Sequence, residues 1–584
     1  MTSAPIPAGP VVTTTERVEL VGGVQMLFEK NVPVAMSDGI VLRANVFRPD
    51  KPGRFPVVMS HGIYGKDVHF SLAFKPQWEN LLKLYPDLCR NGSTGRFLRW
   101  EVADPERWIP DDYIIVVVDT RGSGKSPGYM DPRQPRENQD YYELIEWAGI
   151  QPWSNGKVGL LGISYLAMNQ WKAAALQPPH LAAICPWEGH WDHYRDSSHH
   201  GGILSNTFAA GWWPKQVLSN QHGSSKTHYV DPDTGEIATG PALNEDMLAG
   251  NREDHPGNHL RHKLDDEWHK SRTPDMSKVT VPVLSAGNWG GPGVHLRGNV
   301  AGFVEAASKD KWLSMHIGTH YESFYLPEYV AMQKRFFDRY LKGLDNGWDA
   351  EPPLRIELRD VKGGASVRKE REWPLARTRW TKLHLDADAK ALTSSAPKAE
   401  SRSTYAALGE GVTFSTAPFE RETEITGYVA ARLTISSSTT DMDIFATLRA
   451  FDPSGEEITF IGAHEPTPLS RGWLRASHRK QVAVKSKPYR PYLSHDEIQK
   501  LTPGALYTVD VEIWPTCLVF PTGYRLALTL MGKDFELPGI PGRILHNDSA
   551  DRPMPEFAGD NTIVTGGAHE SWLMVPVVPP ASAP

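Results

Sequence analysis

The feature that most constrains this chain is a strand, a tight turn and a helix in immediate succession around Ser164. Residues 157–163 form the short apolar run of a buried strand, and residues 165–177 have helical spacing. We expect so sharp a turn to lift the serine hydroxyl clear of the sheet and to point the helix N-terminus towards it. The turn reads Gly162-Ile163-Ser164-Tyr165-Leu166-Ala167.

This geometry predicts that Ser164 is a nucleophile, because a helix N-terminus can hold the negative charge that develops during attack. Leu166 occupies the position where the strict G-x-S-x-G pattern has its second glycine. The alternative is that Ser164 is only a turn residue or a helix cap. The catalytic partners considered below favour the nucleophile.

Similar runs on both sides of this turn predict a doubly wound α/β sheet. Continuous apolar strands are typical of parallel sheets covered on both faces, and helices between them give the alternating order of such folds. The predicted strands are residues 55–62, 113–122, 157–163, 180–189, 279–288 and 310–318, and the predicted helices are residues 139–150, 165–177 and 326–343.

The chain divides into regions that differ in composition and in the spacing of apolar residues. Residues 1–30 predict a polar, Pro-rich N-terminal arm, and residues 190–275, which lack strand patterns, predict a mostly helical cap insertion. The α/β core then occupies residues 31–189 and 276–350. Residues 351–584 contain short alternating runs separated by turn residues, which predict an all-β jelly-roll domain.

Composition and charge exclude several classes of protein. Of the 584 residues, 40% are hydrophobic and 22% are charged, which is a globular balance. The net charge of −7 gives no reason to expect a nucleic acid or an anionic membrane as partner. Cys89, Cys185 and Cys517 do not form a disulfide framework, and the first residues lack the pattern of a signal peptide. We therefore expect a cytoplasmic protein.

No metal site is expected. His255, His259, His262 and His269 cluster in the predicted cap, but no set of cysteines or carboxylates completes a zinc site there. A solvated or interdomain histidine face is the simpler interpretation.

Nearly the whole chain resembles the family of cocaine esterase, α-amino-acid ester hydrolases and X-prolyl dipeptidyl peptidases. The resemblance implies an α/β-hydrolase fold with a C-terminal jelly roll, no cofactor, and hydrolysis of an ester or amide through an acyl-enzyme. The motifs that carry it are G-I-S-Y-L followed by N-Q-W, Asp119-Thr120-Arg121-Gly122, Ala286-Gly287-Asn288-Trp289, and the segments PPLRIELRDV, VDVEIWPT and FPTGYRLAL.

The catalytic base should lie on a loop after the last strand of the sheet. His320 lies there and matches the position of the base in the family. Its imidazole would take the Ser164 proton and return it to the leaving group, which contributes roughly 10²–10⁴-fold in rate. His316 is a close rival, but we place it inside the strand.

The acid is where this chain departs from its family. The turn that normally carries the aspartate reads Gly287-Asn288-Trp289-Gly290-Gly291, so that Gly290 stands at the expected position. We favour Glu188, at the end of the preceding strand, over Glu322 and over the absence of any acid. The alternative for Glu188 is an ordinary ion pair with Arg195.

Two donors should form the oxyanion hole. One is the backbone N–H of Tyr165, directly after the nucleophile. The resemblance implies that the other is the hydroxyl of Tyr64, in the loop after an earlier strand. Each such donor is worth about 10²–10³ in rate. The alternative for Tyr64 is simple packing at a loop edge.

Aromatic residues near the nucleophile predict an apolar substrate pocket. The candidates are Trp187, Trp191, Trp289 and His61, with Trp212 as a further aromatic of the cap. The alternative is that these rings only join the cap to the core.

The expected function is a serine esterase or amidase with a small-molecule ester or amide substrate. An X-prolyl-type peptidase or an acyltransferase on the same triad stays open, as does a catalytically weak ligand-binding member, which the missing aspartate suggests. The sequence leaves the substrate undefined, and a homo-oligomer is also open.

Overall fold

The computed structural model describes residues 12–226, 229–462, 466–537 and 545–580, without the side chains of residues 207–209. Over these residues the chain forms a doubly wound α/β sheet followed by an all-β domain, as predicted. The strands of the first part, in which β8 and β9 form a separate hairpin, are β1 (Thr15–Val21), β2 (Val24–Ala35), β3 (Val41–Pro49), β4 (Phe55–Gly62), β5 (Ile114–Asp119), β6 (Ser154–Ile163), β7 (Leu181–Trp187), β8 (His199–His200), β9 (Ile203–Leu204), β10 (Val283–Asn288), β11 (Lys311–His316), β12 (Leu354–Arg359) and β13 (Ala365–Glu370).

The first sheet brings the ends of several strands together. In the described part of the chain its order is β1-β2-β3-β5-β4-β6-β7-β10-β11-β12-β13, and the strands from β5 to β12 in this order run parallel. The central strand β5 is buried along its whole length, which explains its continuous apolar sequence. Because parallel strands end at the same edge, the loops after β4, β6, β7, β10 and β11 meet there.

Helices cover both faces of this sheet. One apolar cluster packs α4, α5 and α10 against one face, and another packs α2, α3 and α12 against the other. The α-helices of the described residues are α1 (Phe70–Ala73), α2 (Lys75–Leu84), α3 (Pro105–Trp108), α4 (Pro135–Gly149), α5 (Tyr165–Ala175), α6 (Asn206–Trp212), α7 (Glu245–Gly250), α8 (His255–Arg261), α9 (Glu267–Lys270), α10 (Leu296–Glu305), α11 (Glu322–Tyr325), α12 (Pro327–Phe337) and α13 (Met554–Phe557).

The second sheet closes on itself. Strand β25 pairs with β14 on one side and with β18 on the other, so that the sheet encloses an apolar core. Its strands are β14 (Arg379–Asp386), β15 (Ala391–Thr393), β16 (Ser401–Ala406), β17 (Val412–Thr416), β18 (Thr423–Ser437), β19 (Asp443–Phe451), β20 (Glu457–Ile458), β21 (Ser470–Arg475), β22 (Tyr507–Phe520), β23 (Arg525–Met531), β24 (Asp560–Thr565) and β25 (Trp572–Val578).

Two predicted boundaries differ from the structure. Residues 15–30 of the predicted arm form β1 and much of β2, an antiparallel pair that turns at Gly22 and Gly23, both with positive φ. Residues 1–11 lie outside the described residues. The strands β12 and β13, assigned by sequence to the β domain, extend the first sheet instead, because β12 pairs with the edge strand β11.

The cap region holds α6 to α9, the hairpin β8–β9 and turns. Buried ion pairs tie it to the sheet, since Asp231 bonds both Lys30 of β2 and Lys125. None of the helices in the described segments is long and apolar enough to cross a membrane.

Candidate active site

Ser164 lies at a strained turn between β6 and α5. Its φ of +56° is in the left-handed region, which a residue other than glycine adopts only at a cost of about 1–3 kcal/mol. Its N–H donates to the carbonyl of Trp187, 3.0 Å away, and its own carbonyl accepts from Ala167 and Met168. The turn therefore presents the Ser164 side chain at the edge of the sheet where the loops meet.

The departure from the G-x-S-x-G pattern is accommodated by glycines on other elements. A Cβ atom at Gly62 would lie 2.8 Å from Cγ of Leu166, and one at Gly162 would lie 2.6 Å from its Cβ. These two glycines leave room for the leucine side chain, so that the turn forms without a glycine at position 166.

Glu188 and His320 form a hydrogen-bonded pair beside this turn. Glu188 follows β7 directly, and His320 lies in the loop after β11. The Glu188 Oε2 atom is 2.7 Å from Nδ1 of His320. Its Oε1 atom accepts from Nε2 of His316 at 2.9 Å and from the Asn288 amide at 3.3 Å.

These partners keep the buried Glu188 carboxylate ionised. Burial alone would raise its pKa, but His320 and His316 outweigh burial and hold the pKa of Glu188 below its usual value. His316 is the last residue of β11, and its hydrogen bond goes to Glu188 and not to Ser164. Glu188 is therefore placed to orient the His320 ring.

The other interpretations of the acid do not match the geometry. Glu322 accepts from the backbone N–H of Thr319 at 3.4 Å. Arg195 pairs with Asp192 and Asp265 instead of Glu188.

A side chain at position 290 would clash with the β domain. A Cβ atom there would lie 2.1 Å from the carbonyl oxygen of Ile461 and 2.6 Å from Cα of Gly462. The backbone of the β domain thus occupies the space that an aspartate at this turn would need.

Glu101, which the sequence analysis did not single out, bonds the other side of His320. Its Oε1 atom lies 3.2 Å from Nε2 of His320. Burial raises the pKa of Glu101 to about 7, against the lowering effect of the hydrogen bond from His320. Burial would lower the pKa of His320, but Glu188 and Glu101 together raise it to about 10.

Ser164 itself bonds a different imidazole, also missed by the sequence analysis. Its Oγ atom is 3.1 Å from Nε2 of His295, the residue at the N-terminus of α10. The His295 ring lies nearly parallel to the ring of His320, with centroids 5.3 Å apart. Two imidazoles therefore lie beside Ser164, and the one predicted as base is turned towards Glu101.

The two predicted oxyanion donors lie at Ser164. The Tyr64 hydroxyl is within hydrogen-bonding reach of the Ser164 side chain and accepts a hydrogen bond from the Trp212 indole at 3.1 Å. Because this indole can only donate, the Tyr64 proton is available for another acceptor. The N–H of Tyr165 is the first of α5, where helix geometry provides no acceptor.

A cavity of about 690 Å³ opens onto Ser164. Five of its lining residues are phenylalanine, tryptophan or tyrosine, and Trp100 stacks on Phe74 with ring centroids 4.1 Å apart. The β domain contributes Gly462 and Leu545 to the wall. The cavity is lined by Tyr64, Phe74, Pro76, Gln77, Asn80, Trp100, Glu101, Ser164, Gly211, Trp212, Lys215, Gln216, Val294, His295, Thr319, His320, Tyr321, Gly462 and Leu545.

The predicted pocket residues Trp187, Trp191, Trp289 and His61 are not among these lining residues, and that prediction was wrong. Trp187 and Trp289 are buried, and their indoles donate to Ser323 and to the Glu357 carbonyl. Trp191 packs in the apolar core on one face of the sheet, and His61 lies against the ring of Tyr141. These four side chains point into packed layers, whereas Trp212 of the cap does line the cavity.

The described residues hold no group of three or more His, Cys, Asp or Glu side chains arranged for a metal ion. His255 bonds Glu253, and His259 bonds the carbonyl of His255. The histidines of the cap thus pair with protein groups.

Comparisons with known proteins agree with this fold. Residues 38–322 match the sequence profile of X-Pro dipeptidyl-peptidase (S15 family), and residues 346–574 match that of the X-Pro dipeptidyl-peptidase C-terminal non-catalytic domain. Cocaine esterase from Rhodococcus sp. (strain MB1 Bresler) is 25% identical over 94% of this chain and 98% of its own.

Solved structures extend the likeness. A CocE/NonD family hydrolase from Staphylococcus aureus is 33% identical, with a TM-score of 0.84 over 98% of this chain and 97% of its own. An α-amino acid ester hydrolase shares the fold, with a TM-score of 0.68 at 16% identity over 98% of this chain and all of its own.

Proposed function

We propose a reaction for this chain from one premise: it belongs to the α/β-hydrolase family that contains cocaine esterase, the CocE/NonD hydrolases and the X-Pro dipeptidyl-peptidases of the S15 family. It is thus a serine hydrolase that acts on an ester or a peptide-like bond. In our proposal Ser164 is the nucleophile, His320 the base and Glu188 the acid, and the reaction passes through an acyl-enzyme.

The observation that carries this proposal is the 2.7 Å hydrogen bond from His320 to Glu188 beside Ser164 in one cavity. A carboxylate at Nδ1 fixes the tautomer in which Nε2 can accept a proton. For catalysis, Nε2 of His320 leaves Glu101 and takes the proton of the Ser164 hydroxyl. The carbonyl oxygen of the substrate then gains its negative charge between the Tyr64 hydroxyl and the Tyr165 N–H.

The second half of the reaction reverses these transfers. The protonated His320 gives its proton to the departing alcohol or amine, which leaves the acyl group on Ser164. A water molecule then gives a proton to His320 and attacks the acyl carbon. Collapse of this second intermediate releases the acid and returns the proton to Ser164.

The walls of the cavity support a small or medium substrate with an apolar group. Stacked rings such as Trp100 and Phe74 bind flat or branched apolar groups, and a volume of about 690 Å³ fits a molecule of drug size. We favour an ester or an activated amide over a peptide as the substrate, because the relatives of this chain include esterases. A peptidase or an acyltransferase on the same triad stays an alternative, and the test below separates these enzymes from a weak binder.

The test is turnover of p-nitrophenyl acetate together with labelling by a fluorophosphonate. Ser164→Ala should lower kcat by at least about 10⁴-fold and abolish labelling, because no other group replaces the nucleophile. Ser225→Ala removes an exposed serine and should behave as the unaltered protein. A protein that neither turns over simple esters nor labels at Ser164 would be a binder, and the proposal would fail.

We also propose a cytoplasmic protein with a small-molecule partner. The support is three free cysteines, of which Cys185 and Cys517 are buried. Whether copies associate is decided by light scattering on the purified protein.

A further inference from the structure

The imidazole that hydrogen-bonds Ser164 in this structure is not the one proposed as the base. Nε2 of His295 lies 3.1 Å from Oγ of Ser164. His295 is buried, and it stands at the end of the loop after β10, five residues beyond Gly290, where the family resemblance places an aspartate. This loop therefore contributes an imidazole to the site.

His190 determines which nitrogen of His295 carries the proton. Its Nδ1 atom lies 3.1 Å from the Val294 carbonyl oxygen and 3.3 Å from Nδ1 of His295. A carbonyl oxygen only accepts, so Nδ1 of His190 must carry a hydrogen. The Nδ1 atom of His295 is then the acceptor, and a neutral His295 ring carries its hydrogen on Nε2. Ser164 Oγ consequently receives a hydrogen bond from His295.

Close packing holds the two rings in this arrangement. The rings of His190 and His295 are stacked, with centroids 5.4 Å apart and planes at 20°. On α10, a Cβ atom at Gly298 would lie 2.4 Å from Cα of His190, so only a glycine lets the helix come this close. Gly189 is equally tight against Ala167 at the start of α5. The pair is thus fixed relative to the nucleophile before any substrate binds.

We propose that His295 is a further catalytic residue, which donates a hydrogen bond to Oγ of Ser164, and that His190 is the positioning residue that fixes its tautomer. This inference rests on the proposed function, since it takes Ser164 as the nucleophile. It assigns to the second imidazole the role of a donor, and leaves proton acceptance to His320.

The donor matters most when Oγ is the leaving group. In deacylation the bond between the acyl carbon and Oγ breaks, and its electron pair remains on Oγ until His320 returns the proton. The hydrogen bond from His295 stabilises that charge, while His295 keeps its own proton throughout. In acylation Oγ instead loses charge to the substrate carbonyl as the new bond forms, so the same hydrogen bond helps less. A preorganised donor of this kind is worth about 10²-fold.

Pre-steady-state kinetics with a p-nitrophenyl ester separate the two steps. His295→Leu should slow deacylation by about 10²-fold and acylation by much less, so that a burst of p-nitrophenol of one equivalent precedes a slow steady rate. His295→Gln is the matched control, because its side-chain amide can place a donor near the original Nε2 and should restore much of the rate. Equal slowing of both steps in His295→Leu, or an unchanged rate of deacylation, would overturn the inference.

His190 gives an independent test. His190→Asn keeps a donor near Nδ1 and should deacylate much like the unaltered protein, whereas His190→Leu frees the His295 tautomer and should accumulate the acyl-enzyme. Indistinguishable kinetics of these two variants would contradict the positioning role. Where variants fail to fold, ¹⁵N chemical shifts of the unaltered protein with labelled histidine identify the tautomer of His295. A neutral His295 ring with its hydrogen on Nδ1 would refute the inference.

If the proposed function itself is wrong, the experiment gives a different result. In that case the unaltered protein shows neither a burst nor labelling at Ser164, whatever residue stands at position 295.

Discussion

Glu101 and His320 face each other in the cavity that holds Ser164, with Oε1 of the carboxyl group 3.2 Å from Nε2 of the ring. Because Nδ1 of the same ring bonds Glu188 at 2.7 Å, each ring nitrogen faces a carboxyl group. A neutral imidazole has one N–H, so the three groups together must hold an extra proton, on His320 or on Glu101. A base that already carries its proton cannot accept the one from Ser164.

The pH dependence of kcat/KM should therefore be governed by this pair. With the pKa of His320 raised to about 10 and that of Glu101 to about 7, activity should rise with pH as the pair loses its proton. Glu101→Gln removes a negative charge that favours the protonated ring, so the pKa of His320 falls and the rising limb moves to lower pH by about 1–3 units. Glu322→Gln, which removes a carboxylate two residues after His320, should leave the limb in place. A limb that does not move in Glu101→Gln would show that this pair does not control the base.

Glu188→Gln should lower kcat strongly while the fold survives. Without the carboxylate the His320 ring can adopt the wrong tautomer, which costs about 10⁴-fold in serine proteases. Steady-state kinetics on a simple ester measure the effect, with circular dichroism as the check on folding. Glu322→Gln should retain most of its activity, and the reverse ranking of the two variants would transfer the role of acid to Glu322.

Tyr64→Phe should reduce kcat by about 10²–10³-fold with little change in KM, because it removes one donor to the oxyanion and leaves the ring in place. Tyr321→Phe is the matched control: it also loses a hydroxyl from the wall of the cavity, where the Tyr321 hydroxyl accepts from Asn80 at 3.0 Å. Equal losses in both variants would point to a general disturbance of the cavity.

Gly290→Ala should destabilise the protein, whereas Gly291→Ala should have a smaller effect. A methyl group at position 290 meets backbone atoms of residues 461 and 462 at 2.1 and 2.6 Å, while the nearest atom to one at Gly291 is 3.3 Å away. Overpacking of this kind costs about 1–3 kcal/mol, and backbone neighbours cannot turn aside as a side chain can. Urea denaturation measures both. Equal stability of the two variants would mean that the contact between the domains yields easily.

Sequence reasoning could single out Ser164, His320 and Glu188, the residues of the proposed triad, because each follows a strand that could be recognised from its apolar run. In a parallel sheet those ends meet, so their proximity follows from the strand order alone. The same reasoning could not place Glu101 and His295. Both lie in connections whose paths depend on packing against other elements, such as the contact of Gly298 with His190. The sequence offered one signal for His295: a histidine lies shortly after β10, in the loop where the expected aspartate is missing.

The residues that line the cavity could not be predicted from the sequence. Trp187 and Trp289 stand next to functional residues in the chain, but the direction of a side chain at a strand end depends on the register and twist of the sheet. Both rings turn into packed layers. The rings that do line the cavity, such as Phe74, Trp100 and Trp212, come from connecting loops and the cap, where sequence spacing carries no information about position.

Because Gly462 and Leu545 form part of the cavity wall, both domains contribute residues to the site. Every group proposed to move a proton belongs to the α/β part, whereas part of the surface that a substrate meets belongs to the other domain. Changes in the β-domain loops could therefore alter which molecules are accepted while the chemical machinery stays intact. The same division means that an α/β part without the β domain would lack this piece of the cavity wall, with the site open to bulk water on that side.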